Sequence, residues 1–164
     1  MDYRIVPATN GFVKQISAIW ETGWQEAHAN IVPPQLAKLR NRQSFTERAL
    51  ENVGGTAVAI DGTTVLGFCM VKQDELYQMY VSPDARGTGV AQALINEAEN
   101  RVRANGYATA WLACAVGNER AGRFYEKSGW INTGRTIVEL DTSSGPFHLE
   151  VWRFEKDLHL NEAG

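Results

Sequence analysis

Apolar residues fall along this chain in two periods, and each change of period marks a new element. Ile16, Trp20, Trp24 and His28 follow one another at intervals of four, with Ile19 and Ala27 widening the stripe. A helix with one buried face is therefore expected after Asn10-Gly11. Pro33-Pro34 breaks the pattern, and Pro34 suits the first turn of a second helix running to Arg40. A further helical stretch is expected over 44–52, with Ser44 as N-cap and Glu47 completing a capping box before Gly54-Gly55 ends it. Val90, Leu94, Ile95, Ala98 and Val102 repeat the helical spacing over 87–104, and Asn105-Gly106 supplies a stop. Asn118 caps a last helix that ends at Ser128-Gly129. Strands are predicted at 3–8, 56–60, 63–72, Glu75–Val81, 107–114, Ile131–Leu140 and 147–155, with Asp61-Gly62 as the turn of a hairpin. The strand–helix–strand run over 75–114 is a crossover, so its two strands are parallel. One α+β domain over 1–164 with a mixed sheet fits this order.

The handover from strand to helix at 81–91 is where the pattern turns into chemistry. Pro83 stops the strand by removing an N–H donor, and Gly87 and Gly89 follow just before the helical spacing begins. Unpaired N–H groups at a helix N-terminus favour a phosphate or diphosphate, and glycines let it approach the backbone. The spacing G-x-G-x-A departs from the dinucleotide fingerprint, because position 92 is Gln92, and no Gly-Lys-Ser/Thr follows to make a Walker loop.

Composition narrows the ligand. With 164 residues, 44% hydrophobic and 21% charged, the chain has a globular profile, and a formal charge of −3 provides no general basic field for nucleic acid or an anionic membrane. An anionic cofactor must be held locally, by the glycine turn and arginines such as Arg86, Arg120 and Arg123. Cys69 and Cys114 are too far apart in sequence for a metal pair and read as free buried thiols. The basic and apolar regions of a signal peptide are missing from the first residues, no apolar run reaches membrane-spanning length, and a cytoplasmic location is expected.

The run Arg86-Gly87-Thr88-Gly89-Val90-Ala91 resembles the Q/R-x-x-G-x-G/A signature of the GNAT superfamily of N-acetyltransferases, with Arg86, Gly89 and Ala91 in the defining places. Downstream, Asn118, Ala121, Phe124, Tyr125 and Gly129 are similar to that family's N-x-x-A-x-x-F-Y-x-x-x-G-F segment, with Trp130 in place of the final Phe. The resemblance implies a GNAT-like fold, order β-α-α-β-β-β-α-β-α-β-β, and transfer of an acetyl group from acetyl-CoA to a primary amine of a small molecule, peptide or protein, without a metal. It implies that Arg86, Gly87, Thr88, Gly89, Val90 and Ala91 hold the diphosphate, that the backbone of Met79, Tyr80 and Val81 pairs with the pantetheine arm, and that Asn118 also contacts that arm.

Direct acyl transfer needs a base for the ammonium proton, an N–H for the carbonyl oxygen and a proton donor for the leaving thiolate. Tyr125, the Tyr of the resembling F-Y pair, is the acid candidate, also placed to contact coenzyme A. Glu75 is the base candidate, since histone-acetylating members carry a Glu there and burial raises a carboxyl pKa. His28 and a water relay are its rivals. Trp20, Trp24, Tyr77 and Trp152 are candidates to line an acceptor pocket, although aromatics at helical and strand spacing are more often core; Trp24, His28 and Tyr77 are the residues expected at the acceptor. The hairpin around Pro146-Phe147-His148 is expected either to close over the acceptor or to pair with a second copy in a homodimer. Two other readings stand beside the leading one: a CoA-binding sensor without turnover, and transfer of a longer acyl chain or to a hydroxyl.

Overall fold

The computed structural model describes residues 2–159. A seven-stranded mixed sheet runs in the order β1-β2-β3-β4-β5-β7-β6. Its strands are β1 (Arg4–Pro7), β2 (Thr56–Asp61), β3 (Thr64–Lys72), β4 (Glu75–Val81), β5 (Thr109–Ala115), β6 (Ile131–Leu140) and β7 (Phe147–Asp157). Pro7 is tolerated because β1 is an edge strand. Helices cover both faces: α1 (Val13–His28), α2 (Pro34–Leu39) and α3 (Arg42–Glu51) on one, α4 (Val90–Ala104) and α5 (Glu119–Lys127) on the other. The fold is the mixed GNAT-like sandwich expected; the three helices before β2 are those the sequence pattern predicts, one more than the order that the resemblance implies.

The stripe read from the sequence is the buried face of α1. Ile16 and Trp20 are fully buried, and Trp20 packs on Phe45 of α3 and Phe68 of β3 at 5.2 and 5.8 Å between ring centroids. Burial of side chains this large contributes roughly 2–3 kcal/mol each. α1 lies so close to β4 that a Cβ on Gly23 would overlap the Tyr80 ring. On the opposite face Val90, Leu94, Ile95, Ala98 and Val102 of α4 are all buried against the sheet. Beneath α4, the buried Glu99 receives Lys156 Nζ at 2.9 Å and Trp130 Nε1 at 3.3 Å, so the Trp that replaces Phe in the downstream motif gains a polar partner.

Local chemistry corrected several boundaries. The N-cap of α3 is Asn41, not Ser44: Asn41 is extended and its Oδ1 accepts the Ser44 N–H at 2.9 Å. Asn caps as well as Ser, and Glu47 is bound by Gln43 at 3.1 Å instead of reaching back to a cap. The hairpin turn is Gly62-Thr63, one residue beyond Asp61-Gly62, because Asp61 still pairs with Thr64. Gly62 alone has positive φ, as a turn with Gly in its first central place requires. α4 begins at Val90 and not at residue 87, because Gly87 and Gly89 both lie in left-handed backbone.

Candidate active site

β4 and β5 are parallel neighbours that pair only at Glu75 and Trp111. Trp111 pins this closed end, donating its N–H to the Asp74 carbonyl at 3.1 Å and its indole Nε1 to Asp74 Oδ1 at 3.2 Å. Beyond it the strands separate. The register between β3 and β4 steps from Val71–Leu76 to Met70–Gln78, which leaves Tyr77 as the extra residue of a β-bulge. A bulge bends and twists its strand, and here it carries β4 away from β5.

The bulge also decides which backbone groups face the gap. Ser82 donates to the Leu66 carbonyl at 2.8 Å, so alternation along an antiparallel ladder aims the polar groups of Tyr80 and Gln78 at β3. Those of Met79 and Val81 point the other way, into the separation from β5. Of the expected trio, then, Met79 and Val81 offer free backbone. Tyr80 does not, and its ring packs on Phe68 at 6.0 Å under α1.

At the open end the chain passes into α4 through a turn rich in free donors. Among the described residues the N–H groups of residues 87–92 have no intramolecular acceptor. A Cβ added at Gly87 would meet nothing within 4 Å, and at Gly89 only the Tyr3 hydroxyl at 3.8 Å, so the space above the turn is open. The 15 residues of α4 set a full macrodipole behind these amides. Val90 is buried and the Thr88 hydroxyl donates to the Ala85 carbonyl, which leaves only their amides for a ligand. Arg86 is drawn across the mouth to Glu26 of α1 at 2.5 Å.

A continuous cleft of about 940 Å³ joins this turn, the β4–β5 gap, the N-terminal turn of α5 and the C-terminal end of α1. Glu75, Met79, Tyr80, Val81, Arg86, Gly87, Gly89, Ala91, Asn118 and Tyr125 line it, and so do Trp24, His28 and Tyr77. Thr88 and Val90 do not line it with side chains; Trp20 lies in the core and Trp152 on a separate surface against α5. Leu140, Leu149 and Val151 of the C-terminal hairpin form part of the wall.

Asn118 caps α5, its side chain accepting the Ala121 N–H at 3.4 Å, and so aims Tyr125 toward the cleft wall. The Tyr125 ring is wedged between Phe124 and Phe154 at 5.6 and 5.8 Å, and among the described residues its hydroxyl has no partner. Burial, reinforced by Cys114 and Tyr80, pushes its pKa well above the phenol range, so it stays protonated. Burial likewise pushes the Cys114 thiol up to about 12, which makes it an inert neighbour and not a nucleophile. Glu75 has no hydrogen-bond or ion-pair partner among the described residues, and burial, with Asp74 adding and Lys72 and Arg153 opposing, raises its carboxyl to about 7. His28 Nδ1 lies 3.0 Å from the Trp24 carbonyl; as the donor of that bond it leaves Nε2 as an acceptor. Burial, and secondarily Arg40, hold its pKa below the ordinary imidazole value despite that bond.

Two residues of the site carried no motif in the sequence, Arg40 and Arg48. Arg40 is buried between α2 and the hairpin, and Arg48 lies over the Trp20 ring at 4.4 Å and donates to the Tyr77 hydroxyl at 2.8 Å. The available signal was positional: Arg48 shares the buried face of α3 with Phe45 and Ala49.

A model of the acetyltransferase (GNAT) family matches residues 15–130, and the chain belongs to that family. An N-acetyltransferase of Mycobacterium tuberculosis, itself uncharacterised, is 35% identical over 79 residues, 44% of this chain and 51% of that protein. The match thus spans about half the length of that relative. Among solved structures, the GCN5-related N-acetyltransferase of Rhodopseudomonas palustris is similar with a TM-score of 0.74 and 19% identity, covering 96% of each chain. The PaiA N-acetyltransferase of Thermoplasma acidophilum, solved in complex with coenzyme A, is similar with a TM-score of 0.66 and 18% identity over 96% of this chain and 99% of that one. Among the described residues no cluster of His, Cys, Asp and Glu is arranged to hold a metal, and no helix is long and apolar enough to cross a membrane.

Proposed function

We propose that this protein transfers an acetyl group from acetyl-CoA directly to a primary amine. One observation carries the reading: a bulged, splayed parallel strand pair opens directly onto a helix N-terminus whose amides, residues 87–92, lack internal partners. A ligand that fits both parts is elongated, has amides at strand spacing and ends in a diphosphate, which is the chemistry of coenzyme A. The coenzyme A bound by the PaiA relative supports the same ligand.

The residues then divide the work by chemistry. The amides of residues 87–92 neutralise the diphosphate, and the backbone of Met79 and Val81 pairs with the pantetheine arm beside Asn118. Glu75, raised to about 7, takes the ammonium proton; near neutrality it is both partly ionised and basic enough to do so. As the carbon–nitrogen bond forms, a free β4 N–H stabilises the charge growing on the carbonyl oxygen. The carbon–sulfur bond breaks, and Tyr125 supplies the proton that makes the departing thiolate a thiol. Cys114, protonated throughout, forms no acyl intermediate.

The test is to follow thiol release from acetyl-CoA in the presence of polyamines, amino acids, aminoglycosides and lysine peptides. Acceptor-dependent release with mass gain on the amine is expected. Tight coenzyme A binding with no release from any acceptor would replace the enzyme by a CoA-binding module.

A further inference from the structure

The acceptor end of the cleft holds positive charge that the steps above leave unused. Arg40 is 3% exposed, and among the described residues its guanidinium has a single partner, the Asp141 carbonyl, at 2.7 Å. Arg48 bonds the Tyr77 hydroxyl, and its Nε is sealed from water with no acceptor. Among the described residues neither guanidinium has a carboxylate within 4.0 Å, although Arg42, Arg86, Arg101 and Arg153 all do. The nearby acids are committed or distant: Glu139 holds His148 at 3.0 Å on the surface, and the exposed Asp141 carboxylate lies beyond ion-pair reach. Burial and the neighbouring Arg48 bring Arg40 down to about 10, which still leaves it charged near neutrality.

A buried guanidinium and a half-buried one with a sealed Nε, both without a carboxylate partner, are unfavourable unless an anion completes them, and a planar fork suits a carboxylate. Both line the same cleft as Trp24, Val32, Leu36 and Leu149, an apolar wall beside the charge. We propose that Arg40 and Arg48 clamp the carboxylate of the acceptor, so that the amine acetylated is that of an amino acid with an apolar side chain. This deepens the acetyl-transfer reading and rests on it.

The test compares matched acceptors on the wild-type protein with acetyl-CoA: the common α-amino acids, their amides and their decarboxylated amines. The carboxylate form is expected to exceed its amide and amine in kcat/KM by about 10- to 100-fold. Arg48→Gln and Arg40→Gln are expected to raise KM for the amino acid by a similar factor while leaving KM for acetyl-CoA within about twofold. A variant that unfolds is replaced by Arg48→Lys or Arg40→Lys, expected to recover part of the amino-acid KM because charge returns without the fork. Equal or better use of amides and decarboxylated amines overturns the clamp while acetyl transfer stands. Use of polyamines or peptides alone, with no amino acid accepted, does the same. Coenzyme A binding with no thiol release from any amine overturns the transfer reading, and the clamp with it.

Discussion

Replacing Glu75 by Gln is expected to stabilise the protein and disable it together. Gln keeps the shape and removes the ionisable proton. Glu75 titrates near 7 in the folded protein against an ordinary carboxyl value of 4.5. Between those values the folded state binds the extra proton, so stability falls as pH rises through the window, and the full penalty applies above about 7. At about 1.4 kcal/mol per pKa unit the ceiling is about 3 kcal/mol, and water entering the open cleft screens this to about 1–2 kcal/mol. The variant should therefore melt about 2–8 °C higher than wild type near pH 8, and at the same temperature near pH 4, by calorimetric or fluorescence unfolding. Saturated turnover should fall by about 10²- to 10⁴-fold, and the inflection of the wild-type kcat profile near 7 should disappear. A variant that keeps both the rate and the inflection would remove Glu75 as base and leave His28 or a water relay in its place. An unchanged melting temperature near pH 8 would show that the cleft does not hold this carboxyl neutral.

Other substitutions read the remaining parts of the site and its support. Tyr125→Phe removes the unpartnered hydroxyl and keeps the ring packing, so turnover should drop at least about tenfold while calorimetric affinity for coenzyme A stays within about twofold; an unaltered rate would exclude it as the acid. Gly89→Val places a branched Cβ at φ +88°, in the open space above the free amides. It should weaken coenzyme A binding at least about tenfold and lower stability by about 1–3 kcal/mol; intact affinity in a folded variant would move the diphosphate elsewhere. Lys156→Met strands the buried Glu99 carboxylate and should cost about 3 kcal/mol in urea unfolding, with little change in KM, because the pair lies outside the cleft. A loss below about 1 kcal/mol would mean that solvent or Trp130 already satisfies Glu99.

What the sequence disclosed follows from how local the cause was. The α4 stripe from Val90 to Val102, the stop at Asn105-Gly106, the cap at Asn118 and the crossover that makes β4 and β5 parallel all depend on residues close in the chain. The glycine turn was legible for the same reason. The bulge at Tyr77 was not, because it arises from the register between β3 and β4, and with it went the distinction between outward Met79 and Val81 and inward Tyr80. Asn41 displaced Ser44 as a cap because both residue types suit the place and the exit from α2 selected between them. Arg40 and Arg48 were hidden for a tertiary reason: an arginine on a helix looks solvated until another element closes over it, here the Asp141 corner and the rings of Trp20 and Tyr77.

The central claim is that free amides at the start of α4 and the outward backbone of β4 receive coenzyme A. The most direct measurement is a titration of the isotope-labelled protein with coenzyme A, followed in its amide nitrogen–proton correlation spectrum. The largest downfield shifts should fall on residues 87–92, with Met79 and Val81 moving in the same saturable step while Tyr80 moves little. Saturable binding that leaves residues 87–92 in place and perturbs another surface would contradict the account.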